Sequence, residues 1–142
     1  MALENVIFDI DGLLIDSEPL WNEAAAEVFT GYGIKMTHEQ YNSTTGLRTA
    51  EFINWWFRYF HIPLSESKKA QDKIVQVVLD KIERKASIMP GVAYIFDFFA
   101  RKNFKIGLAT SSPPALIELV KSMTGIGPYL AATASAEELP FG

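Results

Sequence analysis

The sequence predicts an α/β fold in which an incomplete parallel sheet is interrupted, just after its first strand, by an all-helical block. Three observations carry this expectation. Asn5 to Ile10 contains a short, nearly continuous apolar run, which suits a parallel strand buried on both faces. Residues 17 to about 87 show helical spacing only. From Pro90 onward the pattern alternates helix, strand, helix, strand.

Each element has a local reason. Asp9 and Asp11 sit at the end of the first strand, and Gly12 allows the backbone to turn there. Ser17-Glu18-Pro19 reads as a helix start, with Ser17 as cap and Pro19 in the first turn of a helix running to about Thr30. Thr37 with Gln40 forms a capping-box pattern for a second helix, broken at Gly46. Ala50 to Phe60 is a third helix whose aromatic stripe is read as packing. A long helix from Glu66 to about Lys85 repeats Ile74, Val77, Val78 and Ile82. Pro90-Gly91 opens a helix ending near Asn103, and Phe104 to Ala109 is the second strand. A further helix starts at Pro113-Pro114 and runs to about Met123. Tyr129 to Thr133 is the third strand, and Ala134 to Gly142 a tail.

Composition excludes several classes. The chain has 142 residues, 49% hydrophobic and 21% charged, a globular profile. A net charge of −4 gives no case for nucleic acid or an anionic membrane as partner. With no cysteine, disulfides and thiolate metal sites are ruled out, which fits a reducing, cytoplasmic setting. No segment reaches the length of a membrane span, and Glu4, Asp9 and Asp11 interrupt any signal-peptide core.

The chemistry concentrates at the strand ends. In open α/β sheets ligands bind at the carboxyl ends of strands. The first strand brings Asp9 and Asp11 there. The second brings Thr110 and Ser111, with hydroxyls and backbone amides at a helix start, a natural phosphate site. One carboxylate can attack phosphorus and form an acyl phosphate. A second, two residues on, can protonate the leaving oxygen and later activate water. An anionic nucleophile facing a phosphate needs a cation, and oxygen ligands favour Mg²⁺. His38 and His61 are read as surface or packing residues.

Phe8-Asp-Ile-Asp-Gly-Leu-Leu-Ile-Asp16-Ser-Glu-Pro-Leu-Trp21 resembles the first motif of the haloacid dehalogenase superfamily, and Ile106-Gly-Leu-Ala-Thr-Ser-Ser-Pro113 resembles its second. The branch it is similar to carries a helical cap after the first strand and includes β-phosphoglucomutase and bacterial sugar-phosphate phosphatases. The resemblance implies a Rossmann-like core over residues 1–16 and 88–142 and a helical cap over 17–87. It implies Asp9 as nucleophile and metal ligand, and Asp11 as general acid/base and metal ligand through its carbonyl. Thr110, with the Ser111 and Gly12 amides, would bind the phosphoryl group. Arg48, in Gly46-Leu47-Arg48, would reach the substrate from the cap. Mg²⁺ would be the cofactor and a phosphorylated sugar or polyol the substrate.

Three departures refine the expectation. Dehalogenases lack the second aspartate, so its presence favours phosphoryl transfer. The mutase has a histidine where this chain has Trp21, which favours hydrolysis over a phosphohexomutase reaction. Relatives also continue past Ala134–Gly142 into a lysine and paired acids. On that resemblance the chain is an amino-terminal portion, expected to turn over poorly alone and to self-associate through open sheet edges. The remaining alternative is a non-catalytic interaction protein.

Overall fold

The computed structural model describes residues 4–140. Three parallel strands, β1 (Asn5–Phe8), β2 (Lys105–Thr110) and β3 (Leu130–Ser135), lie in the order β1-β2-β3. Val6 pairs with Ile106 and Phe8 with Leu108, and a register shift falls between Ile106 and Gly107 on the β3 side. Between β1 and β2 lie α1 (Glu18–Thr30), α2 (His38–Ser43), α3 (Thr49–Tyr59), α4 (Ser67–Lys85) and α5 (Val92–Arg101). Helix α6 (Pro114–Thr124) connects β2 to β3. The fold is α/β, a small parallel sheet with a helical cap between its first two strands.

The helices follow the expected punctuation to within a few residues. Thr37 and Gln40 make the reciprocal capping box of α2, Gln40 amide to Thr37 hydroxyl at 3.2 Å and Thr37 amide to Gln40 side chain at 2.8 Å. Gly125, with φ of 71°, ends α6 in the left-handed region that only glycine enters freely. Helix α4 packs against α1, α3 and α6, and buries Ile74, Val78 and Ile82 at helical spacing. Helix α3 buries Ile53, Trp56 and Phe57 on the same principle. Its stripe is one-sided: Trp55 and Tyr59 fall on the opposite face and are exposed, so only part of the aromatic run is packing. His38 and His61 are both exposed.

The first strand departs from expectation. It ends at Phe8, not Ile10, and is not buried on both faces. Phe8 stacks on Phe96 of α5, ring centroids 4.7 Å apart, so one face is covered. Ile7, on the other face, is 70% exposed. The reason is position: β1 stands at the edge of the described sheet, and among the described residues no layer covers the Ile7 face. Ile10, beyond the strand, is fully buried, its carbonyl accepting the amides of Leu13 and Leu14. The segments leaving and re-entering the sheet layer run side by side. Asp16 donates its amide to Ser87 and Met89 to Leu14, both at 2.9 Å.

Candidate active site

The turn after β1 exposes one carboxylate and holds the other. Asp9 is exposed, and its Oδ1 accepts the Ile10 amide at 2.7 Å. Asp11 accepts three side-chain donors. Ser17 Oγ and Trp21 Nε1 donate to Oδ1 at 2.6 and 2.8 Å, and Ser112 Oγ donates to Oδ2 at 2.5 Å. Ser17 therefore occupies the cap position of α1 without capping it. Its residue is helical, φ −102° and ψ −20°, and its hydroxyl is taken by Asp11. Gly12 sits at φ 71°, as the turn requires. Its amide, expected on a phosphoryl group, instead donates to the Ile15 carbonyl at 3.0 Å, because that bond closes the turn.

The second strand end is stitched to the first. Thr110 is buried, and its hydroxyl oxygen accepts the Ser112 amide at 3.1 Å. Ser112 in turn reaches Asp11, and its carbonyl accepts the buried Ser135 hydroxyl at 2.6 Å. Asp11, Ser112 and Ser135 thus tie together the ends of all three strands. The expected run of amides at the start of α6 is shorter than anticipated. The Ser112 amide is engaged, and Pro113 and Pro114 have no N–H. Ser111 remains on the cleft wall.

The cleft between the strand ends and the helical cap has a volume of about 300 Å³. Asp9, Asp11, Ser111 and Ser112 line it on one side. Asn22, Asn42, Thr45 and Leu47 are among the cap residues opposite. Thr110, Gly12 and Arg48 do not belong to this lining. The Arg48 guanidinium bonds Glu51, and its Nη1 donates to the carbonyls of Ala136 at 3.2 Å and Leu139 at 2.9 Å. The bond to Glu51 raises its affinity for its proton and lowers that of Glu51. Arg48 therefore joins the cap to the segment after β3 instead of facing the cleft, since carbonyls and a carboxylate there satisfy its planar fork. Tyr41, on the cap side, is buried, its hydroxyl has no partner among the described residues, and burial pushes its phenol up to about 12.

Comparison with known proteins now decides the family. The profile of the haloacid dehalogenase-like hydrolases matches residues 3–142. The chain belongs to the haloacid dehalogenase-like hydrolase family. It is 30% identical over 136 residues to hexitol phosphatase B of Escherichia coli K12, covering 95% of this chain and 61% of that protein. It is 32% identical over 113 residues to a phosphorylated carbohydrates phosphatase of Thermotoga maritima, covering 78% of this chain and 51% of that one. Its fold is similar to the crystal structure of β-phosphoglucomutase from Clostridium difficile, with a TM-score of 0.85 and 20% identity over 99% of this chain and 65% of that chain. It is also similar to a phosphonoacetaldehyde hydrolase-like protein from Oleispira antarctica, with a TM-score of 0.83 and 21% identity over 99% and 56%. The chain spans about three fifths of the length of hexitol phosphatase B.

The donor set sets limits on the Mg²⁺ that the haloacid dehalogenase resemblance implies. Among the described residues no three acids or histidines gather as a metal site. The Asp11 carboxylate is closed by its three donors and is a poor first ligand. Asp9, whose carboxylate accepts one hydrogen bond among the described residues and lines the cleft, is an oxygen donor of the type that fits part of a Mg²⁺ set. That ion keeps several waters and takes one or two carboxylates plus phosphate oxygens.

Sequence reasoning missed Ser112 and did not foresee what Ser17 and Trp21 hold. The sequence alone marks Trp21 only by the histidine it replaces, and Ser17 only as a cap. A signal for Ser112 exists in the hydroxyl triplet Thr110-Ser111-Ser112, but which of the three faces Asp11 depends on how β2 lies beside β1.

Proposed function

We propose that this protein is a Mg²⁺-dependent phosphatase that hydrolyses a small sugar or polyol phosphate through an aspartyl phosphate on Asp9. The observation that carries the reading is the asymmetry of the carboxylate pair. Asp9 opens onto the cleft, while Asp11, two residues on, is held by Ser17, Trp21 and Ser112. The names of the similar hexitol and carbohydrate phosphatases support the substrate class. In this reading residues 1–16 and 88–142 form the catalytic core and residues 17–87 the cap that admits the substrate.

The steps follow from the residues. An Asp9 oxygen forms a bond to phosphorus as the bond from phosphorus to the alcohol oxygen breaks. Asp11, in its protonated form, gives its proton to the departing alcohol. A water then attacks the acyl phosphate, Asp11 takes the water's proton, and inorganic phosphate leaves. In this reading Thr110, whose oxygen accepts the Ser112 amide, would donate its O–H to a phosphoryl oxygen, and Ser111 would assist from the cleft wall. Asp9 and the Asp11 carbonyl would hold Mg²⁺, which would supply positive charge between the nucleophile and the phosphate. Gly12 and Arg48 are left out of this set because their donors are engaged elsewhere.

Trp21 favours hydrolysis over mutation of a hexose phosphate. Its indole N–H donates to Asp11 and has no acceptor nitrogen with which to relay a proton. The test is phosphate release from a panel of hexitol and hexose phosphates with Mg²⁺, alongside ¹⁹F NMR of the beryllium fluoride adduct. Release of phosphate, and an adduct signal lost in Asp9→Asn, are the expected results. An isomerised hexose phosphate in place of free phosphate would overturn the hydrolytic reading. An adduct that persists in the variant would overturn Asp9 as nucleophile.

A further inference from the structure

The phosphatase reading places a phosphate at the strand ends and leaves open what alcohol it is attached to. The cap wall opposite meets that alcohol with the side chains of Asn22, Asn42 and Thr45. Amides and hydroxyls of this kind donate and accept hydrogen bonds and carry no charge. Among the described residues, no lysine, arginine or histidine lines the cleft. The cation next in sequence to that wall, Arg48, is already neutralised by Glu51 and held by two carbonyls. A second negative charge on the alcohol would find no counter-charge on this wall.

Glu18 makes the exclusion stronger. It lines the cleft as a third carboxylate beside Asp9 and Asp11. Its place in the first turn of α1 suits an acid, since the helix amino terminus is electropositive. That accounts for its type and not for its direction. Its Oε1 and Cδ lie 3.4 and 3.3 Å from where a Cβ on Gly12 would stand, so the exposed carboxylate leans over the catalytic turn. Among the described residues no ion pair involves it. It also forms no three-acid metal cluster with the two aspartates.

We propose that Glu18 is a specificity-determining residue that accepts hydrogen bonds from the hydroxyls of a neutral polyol and repels an alcohol carrying a second negative charge. The inference rests on the phosphatase reading above. A carboxylate accepts from hydroxyls with charge-assisted strength, so the same group rewards a polyol and penalises an acid. Like charges about 4 Å apart oppose binding by roughly fivefold in bulk water and by several hundredfold under partial screening.

A matched pair of substrates tests this: sorbitol 6-phosphate and 6-phosphogluconate, which share a six-carbon hydroxylated chain and differ in a terminal carboxylate. With Mg²⁺ present, kcat/KM for the neutral substrate should exceed that for the acid by about tenfold or more. Glu18→Gln should narrow that ratio by roughly fivefold or more while the melting temperature stays unchanged, because an exposed acid without an ion pair is removed. Equal kcat/KM on the two substrates, or a ratio that Glu18→Gln leaves intact, would overturn the assignment. p-Nitrophenyl phosphate separates this failure from a failure of the reading beneath it. Hydrolysis of that ester without discrimination between the pair sinks Glu18 alone. No hydrolysis of any of the three, together with no beryllium fluoride adduct on Asp9, sinks the phosphatase reading and the Glu18 assignment with it.

Discussion

The cap and the sheet pack to different depths. In the cap, Phe29, Ile53, Phe57, Val78 and Ile82 are sealed from solvent, and α4 touches both α1 and α3. In the sheet, Ile7 is 70% exposed and residues 131–134 of β3 are exposed. The covered sheet face is carried by Phe8 against Phe96 and Phe99, with Ile106 and Leu108 beside them. The other face presents Ile7, Gly107 and Ala132 in register. A helical block can close a core within itself, whereas a parallel sheet needs helices on both faces. The candidate chemistry sits on the less complete partner, at strand ends held by the side-chain bonds of Asp11 and Ser112. The cap supplies a firm wall.

Four substitutions would break or sharpen that contrast. The largest effect is expected at Asp9→Asn, which should reduce phosphate release by about 10⁴-fold or more, since the nucleophile is lost. Its melting temperature should hold, because Asp9 is exposed and makes one local bond. Asp11→Asn comes next, with a loss of roughly 10²–10⁴ in rate for a general acid/base. Unlike Asp9→Asn it should also lower the melting temperature, since the NH₂ that replaces one oxygen cannot accept, and either Ser112 or the Ser17–Trp21 pair loses its acceptor. Chemical denaturation of the two variants side by side checks the difference.

Phe57→Ala in the cap should cost about 3–5 kcal/mol of stability, the range for emptying a sealed aromatic position. Ile7→Thr on the open sheet face should change stability by less than about 0.5 kcal/mol. Equal losses from these last two, measured by urea titration, would mean that the sheet face is covered in solution and the contrast is wrong.

Much of this was legible in the residues. The capping box of α2, the proline and glycine punctuation of α5 and α6, and the helical spacing of α4 obey local rules and were readable without a fold. The Asp9–Asp11 turn was legible for a related reason. An apolar strand running into two acids and a glycine states its own geometry. Burial of β1 was misjudged because an apolar run specifies a strand and not its neighbours. Ile7 is left 70% exposed on its face while Val6 and Phe8 are partly covered.

By itself the amino-acid sequence determined which segments are helix or strand, where they stop, and which carboxylates stand at a strand end. Those properties are set by backbone conformation and side-chain period within a few residues. Only the tertiary structure decided which hydroxyls, amides and cations remain available. Ser17 turned from cap to clamp, Ser112 reached Asp11 across 101 positions, and Arg48 turned to carbonyls 88 and 91 positions away. Each polar group takes the best partner that folding brings within about 3 Å, and periodicity carries no record of those distances.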